Sequence, residues 1–390
     1  MAIPSPTVYK QYAFNTWFEN FGQVNAVKII SGNRVLIGGS FGRANGNIGL
    51  NYFVCVDGTT GEIDYSYGGL TGTTWFNGTV NDIITDNYDN TQVIIVGQFS
   101  TYLGQTANKM IRLNSDGTKD ATFINTGTTD GQIMRAKYYS TSLYMMGSFS
   151  TINGVASPTV ARLDRYATVN TTFATNIGTG ANGTVYCTSW LDAGTDMVFG
   201  GSFDSFNGNA RGNICKVSDT GNLQATDSHF DGFIYDLNYA GDGSRLWVLG
   251  GFSSWTGSTG TVSQGGITQI ESSQTDLRLK ASFTGNTGFD SNYAWRISRY
   301  STNYGWVVTT NGTQYNGSDA SKIVCMDVNG NDNANKFGNV SGNIYGFDNS
   351  GYVMYAGLIT QWDGVALDPA LRVIKISNTQ DAAPPVAPSG

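Results

Sequence analysis

The sequence predicts an all-β fold, a seven-bladed β-propeller closed by the N-terminal strand, and three observations carry that expectation. A short glycine-centred signature recurs seven times, strand-like runs flank it in a constant order, and the one element lacking after the seventh copy stands ahead of the first. Composition agrees: the 390 residues include 51 glycines, 13 % are aromatic and only 13 % are charged, against roughly 25 % charged in an ordinary domain. Abundant aromatics and scarce charge exclude a disordered chain. Glycine does not fall at every third position, which excludes a collagen-like repeat. No apolar run approaches the ~20 residues of a membrane helix, so no membrane insertion is expected.

The signature begins at Leu36-Ile-Gly-Gly-Ser-Phe41 with Gly46 following, and continues as Ile95-Val-Gly-Gln-Phe99 with Gly104, Met145-Met-Gly-Ser-Phe149 with Gly154 and Phe199-Gly-Gly-Ser-Phe203 with Gly208. Leu249-Gly-Gly-Phe252 with Gly257, a degraded Val307-Val-Thr-Thr-Asn-Gly312 with Gly317, and Tyr355-Ala-Gly-Leu-Ile359 with Gly364 complete the series. Upstream of each lies an apolar anchor: Val24, Val80, Ile133, Val185, Ile234 and Ile344, with the sixth indistinct near Trp295-Arg-Ile297. Downstream comes a third run, from Phe53-Val-Cys-Val56 in the first copy to Val373-Ile-Lys-Ile376 in the last. These β-branched and aromatic runs of four to six residues, bounded by Gly, Asn and Asp, are predicted strands. Asp57-Gly58, Asp116-Gly117 and Asn329-Gly330 follow third runs, where tight turns with positive φ favour them.

A fourth strand is predicted to end at Tyr67, Phe123, Phe173, Phe230, Phe283 and Phe337, one short of seven. Asn15-Thr-Trp-Phe18 supplies the missing one, because it matches Asn170-Thr-Thr-Phe173 and precedes the first anchor. The expected organisation is an N-terminal extension over 1–14, a propeller over 15–377 and a Pro-rich tail over 378–390. A linear solenoid, the rival architecture, would carry polar capping repeats instead of a split copy.

Gly-Gly-Ser-Phe, a trailing Asn-Gly, Ala-Arg-Leu and then Asp-x-x-Phe resemble the delta-60-repeat β-propeller family of bacterial and bacteriophage proteins. The second copy matches best, with Val96-Gly-Gln-Phe99, Ile111-Arg-Leu-Asn114, Asp116-Gly117 and Asp120-Ala-Thr-Phe123. The third follows closely with Gly147-Ser-Phe149, Asn153-Gly154 and Ala161-Arg-Leu163, whereas the sixth departs from the pattern. The resemblance covers most of residues 15–377. It implies a propeller with a structural or adhesive role and no catalytic motif to carry over.

The residues themselves offer little chemistry. A net charge of −7 argues against nucleic acid as a partner. His229 is the only histidine and reads as a strand-edge residue, so neither a catalytic triad nor a zinc site is expected. Glutamate is confined to Glu19, Glu62 and Glu271, and most aspartates fall in turns, which leaves glycoside hydrolysis the least improbable reaction. Asp327-Val-Asn-Gly-Asn-Asp332 superficially suggests a calcium loop but lacks its sixth-position glycine and its final glutamate, so a hairpin turn is expected and no metal or cofactor. Six Asn-x-Ser/Thr sequons are what chance provides in such a composition. Cys55, Cys215 and Cys325 fall on third strands and Cys187 on a first strand, too far apart to bridge, so all four are expected as thiols. No secretory signal is visible after Met1, which with thiols fits synthesis in a reducing cytoplasm.

An aromatic series two residues before the trailing glycine remains: Ala44, Tyr102, Ile152, Phe206, Trp255, Tyr315 and Trp362. Packing between blades is the expected role, and Trp255, Tyr315 and Trp362 are the candidates for ligand or partner binding. The resulting expectation is a non-enzymatic structural component of a bacteriophage virion, associated with tail or tail fibre and serving as a rigid docking or adsorption module. Its expected partners are other virion proteins, further copies of itself and a host-surface glycan. A glycan-binding lectin or adhesin is the alternative and a polysaccharide hydrolase the third reading.

Overall fold

A computed structural model describes residues 9–10, 16–19, 22–69, 74–125, 127–191, 196–226, 228–240, 245–258, 260–271, 277–280, 283, 287–291, 293–301, 305–320, 322–332, 340–348, 353–362, 365–366 and 371–377. The fold is all-β and propeller-like. Its unit is an antiparallel meander of three strands, which recurs seven times among the described residues. First strands run Val24–Ile30, Val80–Thr85, Ile133–Tyr139, Thr184–Trp190, Phe233–Tyr239, Ala294–Ser301 and Val340–Asp348. Each pairs with a middle strand (Arg34–Gly39 in repeat one, Asp196–Ser202 in repeat four), which pairs in turn with a third (Phe53–Asp57, Ile214–Ser218).

Middle strands are apolar without alternation because both their faces are covered. In repeat two, Ile94 and Val96 pack towards repeat three, while Val93 and Ile95 pack towards repeat one. The core is therefore a series of layers between neighbouring meanders. First strands pack side by side in chain order, and the first strand of repeat seven packs against that of repeat one. The strand Thr16–Glu19 joins the two ends of the chain: Thr16 and Trp17 pair with Val373 and Arg372, and Phe18 pairs with Ala44.

The predicted fourth strand needs correction. After the third strand the chain makes a single bridge back to it, as at Leu113 with Lys119 and Val217 with Leu223, and then turns. Tyr67 lies in a 3-10 turn, and Phe173 in a short helix over Thr171–Ile177 whose Asn170 side chain accepts from the Phe173 N–H. Asn170 is an efficient N-cap, and that local bond competes successfully with sheet extension. Phe230 does lie in a strand, but one that pairs with the small hairpin of the next repeat at Trp255. Phe18 takes this second role too, so one predicted element corresponds to two different ones. Phe337 lies outside the described residues, as do most of the N-terminal extension and all of the Pro-rich tail.

The cysteines occupy their predicted strands, all buried and with no disulfide among them. Burial pushes the thiols of Cys55, Cys187 and Cys215 up. Turns follow the third strands with positive φ at Gly117 and Gly330; in repeat one the positive φ falls at Gly61 instead of Gly58, because Asp57 first caps the N–H groups of Thr59 and Thr60.

Candidate ligand-binding mouth

Every first strand carries a β-bulge at one position. In repeat one Val24 pairs with Gly39 and Ala26 with Gly38, which leaves Asn25 extra. The equivalent residues are Asn81, Met134, Tyr186, Tyr235, Trp295 and Tyr345. A bulge re-aims its extra side chain, and here six of these residues, all but Tyr345, line one cavity of about 430 Å³. Gln23, Ser40, Thr79, Gln98 and Gln132 add amides and hydroxyls, and Arg135 and Arg296 complete the lining. The side chain of Tyr345 lies outside the described residues.

The mouth has two unlike walls. Repeats one to three contribute amides and hydroxyls. Asn25 Nδ2 donates to the Val80 carbonyl at 3.0 Å and Asn81 Nδ2 to that of Ile133 at 2.8 Å, which fixes both amides and leaves each Oδ1 as an acceptor. Gln98 Nε2 donates to Gln132 Oε1. Repeats four to six contribute the rings of Tyr186, Tyr235 and Trp295, against which Tyr293 and Phe233 pack from outside the lining. Tyr235 lies 4.8 Å from Trp295 and 6.5 Å from Tyr293 between centroids, with the Tyr235 and Tyr293 planes within 24°. Tyr293 and Trp295 stack at 5.7 Å and 28°, Tyr186 joins Tyr235 at 5.8 Å, and Phe233 meets Tyr235 edge-on. Phe233 and Tyr293 are 47 % and 38 % exposed.

Beneath the mouth a chamber of about 180 Å³ holds the charged residues Lys28, Asp82, Arg135, Asp236, Arg296 and Asp348. Asp82 accepts from the Ile83 and Ala136 N–H groups, and Asp236 from those of Leu237 and Ile297. Arg135 reaches from repeat three to Asp236 in repeat five at 3.4 Å. Burial pushes both carboxyls up, against the opposing pull of Arg135 and these donors. Burial likewise pushes the Lys137 ammonium down, and Nζ donates to the Thr188 carbonyl at 2.9 Å. These charges tie the first strands of different repeats together, Asp82 and Asp236 to the next repeat and Arg135 across to the next but one; they are structural clamps under the mouth.

The sequence candidates lie elsewhere. Trp255 is 1 % and Tyr315 2 % exposed. Both sit in the small hairpin between middle and third strands, opposite Phe230 and Phe289. Tyr315 Oη donates to the Gly330 carbonyl at 2.7 Å, as Tyr102 Oη does to Gly117 at 2.6 Å, so these rings fill and lock the turn beside them. Neither presents a face to a ligand, because the segment that precedes each first strand covers the hairpin. The side chain of Trp362 lies outside the described residues. His229 is exposed at a strand edge opposite Thr256. Asp327 accepts from the N–H groups of Asn329 and Asn331, so its oxygens close a turn. No group of three His, Cys, Asp or Glu side chains among the described residues is placed to hold a metal ion.

The mouth is built from one position of six successive repeats, and comparison with known proteins agrees on a propeller-like fold. The likeness is to β-propellers. A family profile described as "Domain of unknown function (DUF5122) beta-propeller" matches residues 92–123, the second copy of the repeat. The WD40 beta propeller domain of Doa1 superposes with a TM-score of 0.53 at 11 % identity, covering 95 % of this chain and 96 % of that one. The extracellular domain of the putative hybrid two component system BT3049 from B. thetaiotaomicron gives 0.53 at 12 % identity, covering 95 % of this chain and 41 % of that one. No curated protein matches the chain. At such identities the likeness is one of fold alone.

The mouth has a signal in the sequence that the strand pattern alone conceals. Apolar anchors recur three residues apart, as Val24 and Val27, Val80 and Ile83, or Ile234 and Leu237, in every first strand but that of repeat four, where Thr188 follows Val185. A regular strand returns to the same face every two residues, so a spacing of three requires one extra residue, and that residue is the one aimed into the mouth.

Proposed function

We propose that this chain is a rigid, non-catalytic recognition module: a seven-bladed propeller whose N-terminal strand completes the last blade and whose axial mouth is the binding face. The single observation that carries the reading is the convergence of the bulged residues on one opening. The ionisable groups beneath it are engaged in ion pairs and backbone hydrogen bonds, which favours recognition over acid–base chemistry. Support for the closed ring comes from the pairing of Thr16 and Trp17 with the last third strand. Asp348 adds to it by accepting from the Ile29 N–H at 2.7 Å across the ends of the chain.

The proposed setting is a bacteriophage particle, with the propeller carried on the tail or its fibres as a docking or adsorption module among other virion proteins, in one or more copies. Resemblance of the repeat to the delta-60 group supports that placement. The test is mass spectrometry of gradient-purified particles together with competition for adsorption by the purified chain. The chain should co-sediment with particles at a fixed ratio and slow their attachment; recovery solely outside the particles overturns the placement.

A further inference from the structure

We propose that the mouth binds a pyranose ring of an oligosaccharide, stacked on the Tyr235 and Trp295 wall that Tyr293 backs, and hydrogen-bonded from the amide wall by Asn25 and Asn81. This inference rests on the reading of the mouth as the binding face and names its ligand class.

A sugar ring pairs an apolar C–H face with a rim of hydroxyls that both donate and accept. The mouth has the complementary halves. Its volume of about 430 Å³ lies within the ~300–1,000 Å³ of small-ligand sites. Stacked, partly exposed rings favour an apolar face, and large exposed aromatics clustered on one surface mark an interaction site. Across from them, the Asn25 and Asn81 amides are held by their backbone bonds, so their oxygens are pre-positioned to accept hydroxyls. Of the two arginines that line the mouth, Arg135 is compensated by Asp236 and Arg296 shares the chamber beneath with Asp82, Asp236 and Asp348, which favours a neutral sugar over an acidic one.

The wall is formed where the repeat departs from its own pattern. The residue before the anchor is Gln23, Thr79 or Gln132 in repeats one to three, but Phe233 and Tyr293 in repeats five and six. Ser40, Gln98, Ser148 and Ser202 become Gly251 in repeat five. A Cβ at Gly251 would lie 2.7 Å from Tyr293 Cε1, so glycine makes room for that ring. In repeat six Thr310 replaces the glycine found at Gly39, Gly97, Gly147, Gly201 and Gly250, and its hydroxyl donates to the Tyr293 carbonyl at 2.5 Å. Three independent departures thus converge on one ring stack.

The experiment titrates the full-length protein with maltohexaose, cellohexaose, chitohexaose and a uronate hexasaccharide, followed by tryptophan fluorescence and calorimetry. At least one neutral sugar should bind saturably. Trp295→Ala and Tyr235→Ala should each weaken it about tenfold or more, Trp295→Phe should retain most of the affinity, and Gly251→Ser should weaken it with unchanged far-UV circular dichroism. Tyr166→Ala, on another exposed ring, should bind as the parent does. The proposal is overturned if no sugar binds at millimolar concentration, if binding survives both ring-to-alanine changes, or if only the uronate binds. Failure here with the chain still present on particles removes the ligand and leaves the docking role; sugar binding by a chain absent from particles does the reverse.

Discussion

Arg112 shows what the Arg-Leu and Asp-x-x-Phe motifs do for each other. Its guanidinium is 1 % exposed, donates from Nε to Asp120 Oδ2 at 2.8 Å and from Nη1 to Asp86 Oδ2 at 3.2 Å, and lies over the Phe123 ring at 5.3 Å. Tyr138 Oη donates to the same Asp86 oxygen from the next repeat. Repeat one performs the same function from its middle strand, where Arg34 holds Asp64 at 2.7 Å and covers Tyr67. Removing one member of such a buried network strands its partners, so Arg112→Met should cost about 3–5 kcal/mol, measured as a fall in the urea midpoint at unchanged slope. A second recurring device is an acceptor just before the anchor segment. Asp130, Asp231 and Asp290 each take the backbone N–H groups of two consecutive residues after the signature phenylalanine or its counterpart, Ser150 and Thr151 in the first case, and Asn77 and Asn182 do likewise. Partial burial works to raise the three carboxyls, but the hydroxyl and backbone donors outweigh it and hold them below the ordinary carboxylate range. The unfolded chain then binds more protons in acid, so this stabilisation is complete above about pH 4 and is lost as pH falls through the lowered values. Melting temperature should drop through that window. A triple Asp→Asn variant at these positions, which places there the residue already present at Asn77 and Asn182, should show a shallower drop.

At the scale of the element, the bulge explains the second glycine of the signature. A Cβ at Gly39, Gly97, Gly147, Gly201 or Gly250 would lie 1.9–2.1 Å from the carbonyl oxygen of the residue before the anchor. Gly201→Ala should therefore cost about 1–3 kcal/mol, read by thermal denaturation. Thr310 is tolerated in repeat six because its hydroxyl hydrogen-bonds the carbonyl that glycine elsewhere lets approach. Thr310→Val, which removes that donor at a buried site, should destabilise by about 1–3 kcal/mol. First, middle and third strands are legible in the sequence because β-branched runs and turn residues repeat in order. The fourth is not, because Tyr67, Phe123 and Phe173 share a spacing with strands while local bonds, such as the Asn170 cap, decide their conformation. The sixth anchor is obscure because it is Ala294, small enough to hide among neighbours yet fully buried.

For the whole molecule, the strand Thr16–Glu19 is the joint between the first and last repeats. A chain lacking residues 1–19 should melt several degrees lower and associate with rising concentration, since Leu371–Ser377 would present an unpaired edge; gel filtration and calorimetry check both. Asp348→Asn, which keeps the acceptor for Ile29 but loses the Lys28 ion pair at 3.3 Å, should be milder than Asp348→Ala.

By itself the sequence determined the all-β repeat, its order and the places of the four cysteines, because strand propensity, turn chemistry and glycine requirements are local and recur with the repeat. Only the tertiary structure decided which residues face a common opening. Trp255 and Tyr315 share a repeat position with Ala44 and Ile152, and packing between neighbouring meanders buried them. Asn25, Asn81, Tyr186, Tyr235 and Trp295 lie tens of residues apart, each an ordinary residue in its own strand. They meet because the bulges turn the same position of six repeats towards one opening, and a property of that shared opening cannot be read from any one copy.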